Sequence, residues 1–413
     1  MKHSEPLLAR LDRFQQRALI IGAVGLIACV AGIFIDPSQL FRSWLFGFIV
    51  WIALPVGAFG IYMLHNLVGG AWGFLIRRLL SSAIRTLPVM LVLFVPIVVG
   101  MLTGDLYEWA RPEAASDHIL HAKQPYLNEV FWIARTVLYF AIWIGWSMMV
   151  FRHVRRLEET GEITQIRKIQ NVSAAGLVLL ILTMTFAAVD WVMSLEPHWF
   201  STIFGVQMIV AFVLATTCAA TLFLIFLADY RPISDVIRPK ILHDLGTLMF
   251  AFNMLWAYIS FSQLLIIYGG NLAEETPWYI HRLHGGWEWI AYSLIALHFA
   301  TPFLILLSRR NKRNTRILSG VAIWLLVMRA VDTLWVIAPS FHESQLFVHW
   351  LDLAALIAIG GVFVWYFLYQ VKQRPLLLTN DPRMQAALAH VEEKEPLLMV
   401  AEEDLTAEAK AGH

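Results

Sequence analysis

The fold class follows from stretches such as residues 203–228, IFGVQMIVAFVLATTCAATLFLIFLA, which contain no acidic or basic side chain. A helix needs about 20 mostly apolar residues to cross a bilayer core of about 30 Å, and this stretch is long enough. The chain of 413 residues is 59% hydrophobic and only 15% charged, which excludes a water-soluble globular protein. Its formal net charge of +1 gives no electrostatic reason to expect nucleic acid as a partner.

Ten mostly apolar stretches of this length predict an all-α polytopic membrane protein. They cover residues 18–35, 44–64, 86–103, 130–150, 174–195, 203–228, 245–268, 287–307, 317–338 and 346–369. The first stretch lacks the small-residue cleavage pattern of a signal peptide, so we expect it to be a retained helix. Residues 1–374 are predicted to form one membrane domain, and residues 375–413, rich in Glu, Ala and Lys, a mobile cytoplasmic tail.

Positive charge predicts the orientation, because Lys and Arg are retained on the cytoplasmic side. Most of the 31 Lys and Arg lie in the N-terminal segment, the tail and the alternate loops around residues 77–85, 152–168, 231–240 and 309–316. The other loops contain only Arg42, Arg111, Lys123 and Arg282. We therefore expect both termini on the cytoplasmic side of the membrane, which requires an even number of crossings.

Short internal repeats predict how the helices are grouped. Residues 188–190 (AVD), near the end of the fifth predicted helix, recur at residues 330–332 near the end of the ninth. Residues 132–134 (WIA) recur at residues 289–291, in the fourth and eighth helices. The repeats predict two related four-helix bundles, helices 2–5 and 6–9, flanked by helices 1 and 10.

Ionisable side chains at membrane depth are the candidate functional residues, because each costs on the order of 3 kcal/mol to insert. The outer group comprises Asp190, Glu196, His198, Arg135, Glu288, Arg329, Asp332, His349 and Asp352, and the inner group comprises His65, Asp229, His243, Asp244 and His298. Within the outer group, Arg329 and Asp332 are three residues apart, as are His349 and Asp352, so each pair shares a helix face. Two readings stay open: a proton relay, or neutralised pairs that only lock helix packing.

Other site types find little support in the sequence. Cys29 and Cys218 lie inside apolar runs, as buried thiols usually do. His284 and His298 are 14 residues apart on or beside one predicted helix, but they lack the facing partners that haem ligation needs, so no haem is expected in this chain. Four tryptophans near predicted outer helix ends are interpreted as part of an interfacial belt, with a quinone ring as a rarer partner of such aromatic residues: Trp109, Trp199, Trp278 and Trp287.

Three segments resemble a known family. They are residues 189–202, VDWVMSLEPHWFST, followed by Gly205; residues 252–258, FNMLWAY, with residues 260–263, SFSQ; and Trp278-Tyr279. The chain resembles the NrfD-like (polysulfide reductase membrane subunit) family over roughly residues 41–369. Its length and N-terminus are more similar to the ActF-type than to the ActC-type subunit of bacterial alternative complex III.

The resemblance implies a role in a quinol-oxidising respiratory complex of the bacterial inner membrane. A quinol such as menaquinol would be oxidised near the outer face, with protons conducted by the membrane subunits. No covalently bound cofactor is expected here: iron–sulfur clusters and c-type haems would belong to periplasmic iron–sulfur and multihaem cytochrome c subunits. A sister NrfD-like subunit and a terminal oxidase are the other expected partners.

The family motif carries over Asp190, Glu196 and His198 as relay residues, whereas the others rest on predicted depth alone. Two alternatives to a relay subunit stay open. The first is a membrane anchor for the outer electron-transfer subunits, without chemistry of its own. The second is a secondary transporter, which the internal repeat favours, although Pro88 and Pro96 of helix 3 have no counterpart in helix 7.

Overall fold

The computed structural model describes residues 5–377 and 381–392. Over these residues the secondary structure is helical, without a β-strand, and ten helices are long and apolar enough to cross a membrane. They are α1 (Glu5–Ile35), α2 (Pro37–Val68), α3 (Ala71–Leu102), α4 (Glu129–Thr160), α5 (Thr164–Leu195), α6 (Phe204–Leu227), α7 (Pro239–Gly270), α8 (Trp287–Leu307), α9 (Thr315–Ser340) and α10 (Trp350–Lys372). The prediction of an all-α polytopic membrane protein is confirmed.

Two of these helices are irregular. α3 consists of the segments Ala71–Ile84, Leu87–Leu93 and Val95–Leu102, and the second and third each have a proline in their first turn, where its missing N–H is tolerated. α8 contains a π-helical turn, Leu294–Ala300, followed directly by a segment with Pro302 in its first turn. Such turns are rare and are frequent at functional sites.

The helices form two rings of four. In the first bundle α2, α3, α4 and α5 pack in sequence and α5 closes against α2; in the second bundle α6, α7, α8 and α9 pack in sequence and α9 closes against α6. This grouping agrees with the internal repeats. The bundles meet where α2 contacts α6, at a point so close that a Cβ on Gly57 would lie 2.4 Å from the Phe212 carbonyl oxygen.

α1 and α10 form a separate pair against α2. Gly22 of α1 faces Gly361 of α10, and a Cβ on Gly361 would lie 2.2 Å from the Gly22 Cα. One turn further along α1, a Cβ on Gly25 would lie 2.6 Å from the Ala358 backbone nitrogen. Small residues therefore allow the two backbones to touch, as is common between membrane helices.

The helix ends gather at two faces. The basic face carries the start of α1 and the loops rich in Lys and Arg; there Arg10 Nη1 donates to the Tyr230 hydroxyl at 2.7 Å. The opposite face carries the end of α1 and the short helices His118–Lys123 and Pro277–Arg282. The structure describes a multi-pass membrane protein, and the assignment of the basic face to the cytoplasm stays a prediction.

Part of the C-terminal segment contacts the basic face. Asp381, at the start of the helix Pro382–Glu392, is 2% exposed and accepts a hydrogen bond from Arg77 Nη1 at 3.0 Å. Arg77 also donates to Asn66 Oδ1 at 3.1 Å, so the contact reaches the interior of the first bundle. The mobility predicted for residues 375–413 stays a prediction, and residues 393–413 of that tail lie outside the described residues.

Candidate functional site

Asp190 lies in a closed ion pair at the end of α5. Its carboxylate accepts hydrogen bonds from Arg135 Nε at 2.8 Å and Nη2 at 2.9 Å, and from the Tyr139 hydroxyl at 2.6 Å. Asp190 is fully buried, and the Arg135 guanidinium lies 3.8 Å from the centre of the Tyr126 ring. Both carboxylate oxygens are therefore satisfied by charged or hydroxyl donors, an arrangement that holds α4 against α5.

Glu196 lies in a second closed group on the opposite face. Its carboxylate is 2.7 Å from Arg282 Nη1, 2.7 Å from the Ser340 hydroxyl and 3.2 Å from His281 Nδ1. Arg282 is 1% exposed and stacks 3.9 Å above the Trp278 ring. These contacts fix the short helix Pro277–Arg282 between the ends of α5 and α9.

The charges in this group shift each other's pKa. Burial would raise the pKa of Glu196, but Arg282, His281 and Ser340 together lower it to about 2. The hydrogen bond to Glu196 raises the pKa of His281, against the effect of its partial burial. Glu196 is therefore held as a carboxylate at neutral pH, in an ion pair that a proton enters only under strongly acidic conditions.

Three other residues of the predicted outer group stand apart from these pairs. His198 is exposed, with Nε2 2.8 Å from Asp117 Oδ2. Glu288 accepts a hydrogen bond from the Gly286 backbone N–H at 2.8 Å. His349 accepts from the Leu351 backbone N–H at 3.3 Å, as the N-terminal cap of α10.

Asp352 completes the same helix cap. Its Oδ2 accepts from the His349 backbone N–H at 2.8 Å, and its Oδ1 from the Ser43 hydroxyl at 2.5 Å. The spacing of His349 and Asp352 thus forms a capping box, in which the two side chains each bond the backbone. The nine predicted outer residues are distributed over several separate groups.

The predicted inner group is also dispersed. His65 is buried in the first bundle, with Nε2 3.0 Å from the Gly70 carbonyl oxygen and its ring against Phe74. Asp229 is exposed at the turn after α6. Asp244 pairs with Lys240 at 2.7 Å, and His243 lies beside it with Nδ1 3.5 Å from the Asp244 carboxylate. His298 lies elsewhere, in the interior of the second bundle.

A column of polar side chains occupies the interior of the second bundle. α7 contributes its buried face, on which polar residues recur at helical spacing, and α6, α8 and α9 contribute the rest. The polar column consists of Gln207, Asn253, Trp256, Gln263, His298, Arg329 and Asp332, all of them no more than 6% exposed. Two of the predicted outer residues and one predicted inner residue thus meet in one place.

Many atoms of the polar column lack partners. Among the described residues, the buried side-chain atoms without a hydrogen bond include Gln207 Oε1, Asn253 Oδ1, Trp256 Nε1, Gln263 Nε2, both ring nitrogens of His298, and Asp332 Oδ1. Within the described part of α2–α5, the corresponding atoms are the Nε of Arg42, Arg78 and Arg85. Buried polar groups are nearly always satisfied by protein or water, so this column is where the chain needs internal water.

His298 lies at the centre of the polar column. It is fully buried in the π-helical turn of α8, and its ring centre lies 4.0 Å from that of Trp256. On α9, Arg329 and Asp332 form an ion pair one turn apart, as their spacing predicted. Arg329 also acts on His298 electrostatically, and the Trp256 indole N–H lies near the Asp332 carboxylate without completing a hydrogen bond to it. An imidazole and a carboxylate with free atoms can both accept and release protons.

Sequence reasoning missed several residues of these groups. Gln207, Asn253 and Gln263 were not considered because the search for candidates was confined to ionisable side chains. The signal that reveals them is the spacing of residues 253, 256, 260 and 263, which places polar groups on one face of α7. Arg282 was counted only as a loop charge.

The tryptophan prediction is wrong for the four residues that were named. Instead of facing the membrane interface they are buried, with exposed fractions of 7% for Trp109, 3% for Trp199, 3% for Trp278 and 0% for Trp287. Trp199 and Trp278 stack on each other with ring centres 4.8 Å apart. Packing against other rings and against Arg282 outweighs the preference of tryptophan for the interface.

Comparisons leave the family open. A scan of protein-family models finds no match to this chain, and a search of curated proteins finds no relative. In residues 5–377 and 381–392, no group of three or more His, Cys, Asp or Glu is placed to hold a metal ion.

Proposed function

We propose that this chain is the membrane subunit of a quinol-oxidising electron-transfer complex and that its second bundle conducts protons. One observation carries the proposal: His298 is fully buried in a π-helical turn, and neither ring nitrogen has a partner among the described residues. A structural histidine would be expected to use at least one ring nitrogen in a hydrogen bond. A histidine that exchanges protons with internal water needs both nitrogens available.

The polar column supports conduction to one side. Gln207 is near the start of α6 and Gln263 near the end of α7, both towards the opposite face, and Asn253 lies near the middle of α7. Between Asn253 and the basic face, the buried residues of α7 are Ile241, Leu242, Leu245, Gly246 and Met249. Protons therefore reach His298 from the opposite face, while an apolar segment of roughly 12 Å, at 1.5 Å per residue, separates it from the basic face.

Each charged group has a role in this scheme. His298 takes up and releases the proton, and water molecules held by the amides of Asn253 and Gln263 carry it along the column. Asp332 offers one free carboxylate oxygen as a further proton acceptor, while Arg329 keeps its other oxygen paired. The closed pair of Asp190 holds α4 against α5, and that of Glu196 holds the short helix Pro277–Arg282 and the end of α9 against the end of α5.

The resemblance to NrfD-like subunits supports the link to quinol. Oxidation of a quinol releases protons together with electrons, so a subunit beside the reaction needs a proton route even if it holds no redox metal. Iron–sulfur clusters and c-type haems would be supplied by the partner subunits and would carry the electrons.

The proposal is tested on the chain tagged and extracted from its native membrane in mild detergent. We expect co-purifying subunits with c-haem and iron–sulfur absorbance, and quinol-driven turnover that His298→Gln reduces strongly. The matched control is His65→Gln, a histidine of the first bundle that is 3% exposed but bonded to Gly70. If the chain purifies without other subunits, the proposal that it belongs to a complex is contradicted. Equal turnover in the wild type and His298→Gln contradicts the proton route.

A membrane anchor without chemistry is the second candidate. It is favoured by the closed pairs Asp190–Arg135 and Glu196–Arg282. In each pair the carboxylate is neutralised by an arginine and is not available to accept a proton. An anchor predicts that His298→Gln leaves the turnover of the assembled complex unchanged, while Glu196→Gln reduces the amount of complex recovered.

A further inference from the structure

A large cavity lies between the two bundles and the α1–α10 pair, and Arg329 is the one residue of the polar column that lines it. Its volume is about 1060 Å³, and it is lined by residues of α1, α2, α3, α6, α9 and α10. It extends from Leu11 and Phe14 near the basic face to Thr333 and Leu356 nearer the middle of the helices. Pockets for small ligands have volumes of about 300–1,000 Å³, so this one has room for a larger amphiphile.

The wall of the cavity is apolar along its length. Leu54, Phe223 and Val364 are typical of its lining. The hydroxyls that face it already have acceptors: Thr216 donates to the Leu54 carbonyl oxygen at 3.1 Å, and Thr333 to that of Arg329 at 2.8 Å. Such a wall has little to offer a polar ligand and suits hydrocarbon chains.

The charges of the cavity are positive. Arg17 and Arg329 line it, and no acidic side chain does so among the described residues. Arg329, at the deep end, is already paired with Asp332. Arg17, by contrast, is exposed at the end nearer the basic face and has no ion-pair partner in the part of the chain that the structure describes.

We propose that this cavity binds an anionic phospholipid, with its acyl chains between the bundles and its phosphate at Arg17. Charge complementarity decides the occupant: the wall accepts hydrocarbon, and among the described lining residues the charge without an ion-pair partner is Arg17, a cation on the face richest in Lys and Arg. Basic pockets between membrane helices are known to hold anionic head groups. This site does not depend on the proposed function, since Arg17 and the apolar wall take no part in the polar column.

The test uses the full chain, with any subunits that purify with it, and native mass spectrometry. Phosphatidylglycerol and phosphatidylcholine of the same acyl length are titrated as probes. We expect tighter binding of phosphatidylglycerol, weakened about fivefold by Arg17→Gln, because one arginine near an anionic lipid contributes about 1 kcal/mol. The matched control is Arg13→Gln, an exposed arginine one turn away that does not line the cavity.

A second variant tests the location of the acyl chains. Ala219→Phe places a ring inside the cavity and should reduce the binding of both lipids, with an unchanged elution profile as evidence of folding. Equal affinity for the two lipids, or equal loss in Arg17→Gln and Arg13→Gln, would overturn the assignment of the head group. Unchanged lipid binding by Ala219→Phe would overturn the location, and recovery of a quinone instead of phospholipid in an organic extract would overturn the occupant.

Discussion

Asp190 and Asp332 lie at corresponding places near the ends of α5 and α9, but only Asp332 keeps a carboxylate oxygen without a partner among the described residues. The arginine that pairs with Asp190 comes from the neighbouring helix α4, whereas the arginine that pairs with Asp332 lies one turn back on α9 itself. In the repeat of residues 132–134 and 289–291, Arg135 follows the first copy and Tyr292 follows the second, so α8 has no arginine at the corresponding position. The carboxylate in the second bundle is therefore buried like that in the first but has fewer hydrogen-bond donors.

This difference predicts that Asp190→Asn mainly lowers stability. The substitution leaves the Arg135 charge without its counter-ion at a site where Asp190 is fully buried. Breaking a buried ion pair costs about 3–5 kcal/mol, and the partial exposure of Arg135 places the expected loss near the lower end. Thermal unfolding in detergent measures it. Asp235→Asn, in an exposed pair with Arg231, is the control and should change the unfolding temperature little; equal shifts in the two variants would contradict this account.

The shifted pKa values of Glu196 and His281 predict that the stability of the fold is greatest at intermediate pH and falls at both lower and higher pH. The folded pKa of Glu196, about 2, lies below its ordinary 4.5, so its contribution is complete above pH 4.5 and is lost as the pH falls towards 2. The folded pKa of His281 lies above its ordinary 6.5, so its contribution is complete below pH 6.5 and is lost as the pH rises through the folded value.

Unfolding temperatures measured across this pH range separate the two groups. His281→Gln should flatten the decline above pH 6.5 and keep the decline at acid pH. Glu196→Gln should remove most of both, because the shift of His281 depends on the carboxylate. An alkaline decline of the same steepness in His281→Gln and in the wild type would show that other groups cause it.

The backbone contact between α1 and α10 predicts a strong effect of one methyl group. Gly361→Ala places a Cβ 2.2 Å from the Gly22 Cα, so the helices must separate. We expect faster proteolysis of α1 and a lower unfolding temperature. Gly145→Ala on α4 is the matched control, since apart from the adjoining backbone of α4 no atom lies within 4 Å of where its Cβ would be, and alanine there should be neutral or stabilising by up to about 1 kcal/mol. Similar behaviour of both variants would exclude close packing as the cause.

The fold was largely predictable because a membrane leaves a strong pattern in the sequence. Apolar length predicted the ten helices, and the repeats at residues 188–190 and 330–332 predicted the two bundles. The ion pair of Arg329 and Asp332 was also predictable, because residues three apart are neighbours on one face of a helix.

Which of the candidate residues contact one another was not predictable in the same way. His349 and Asp352 have the same spacing as that ion pair, yet they bond backbone groups because α10 begins at this point. The partner of Glu196 is Arg282, which is remote in sequence and is brought near by the short helix Pro277–Arg282. Depth along a helix does not say which face a side chain occupies, so residues at similar predicted depth are placed in different bundles.

The most direct test of the central claim is the rate of proton release by the assembled complex after a pulse of quinol, followed with a pH-sensitive dye. Asp332→Asn should slow it at least about tenfold at normal assembly, since a positioned acid–base group contributes about 10²–10⁴-fold. Asp352→Asn, a carboxylate of similar burial that caps α10, should leave it nearly unchanged. Proton release at the wild-type rate in a fully assembled Asp332→Asn complex would contradict the account.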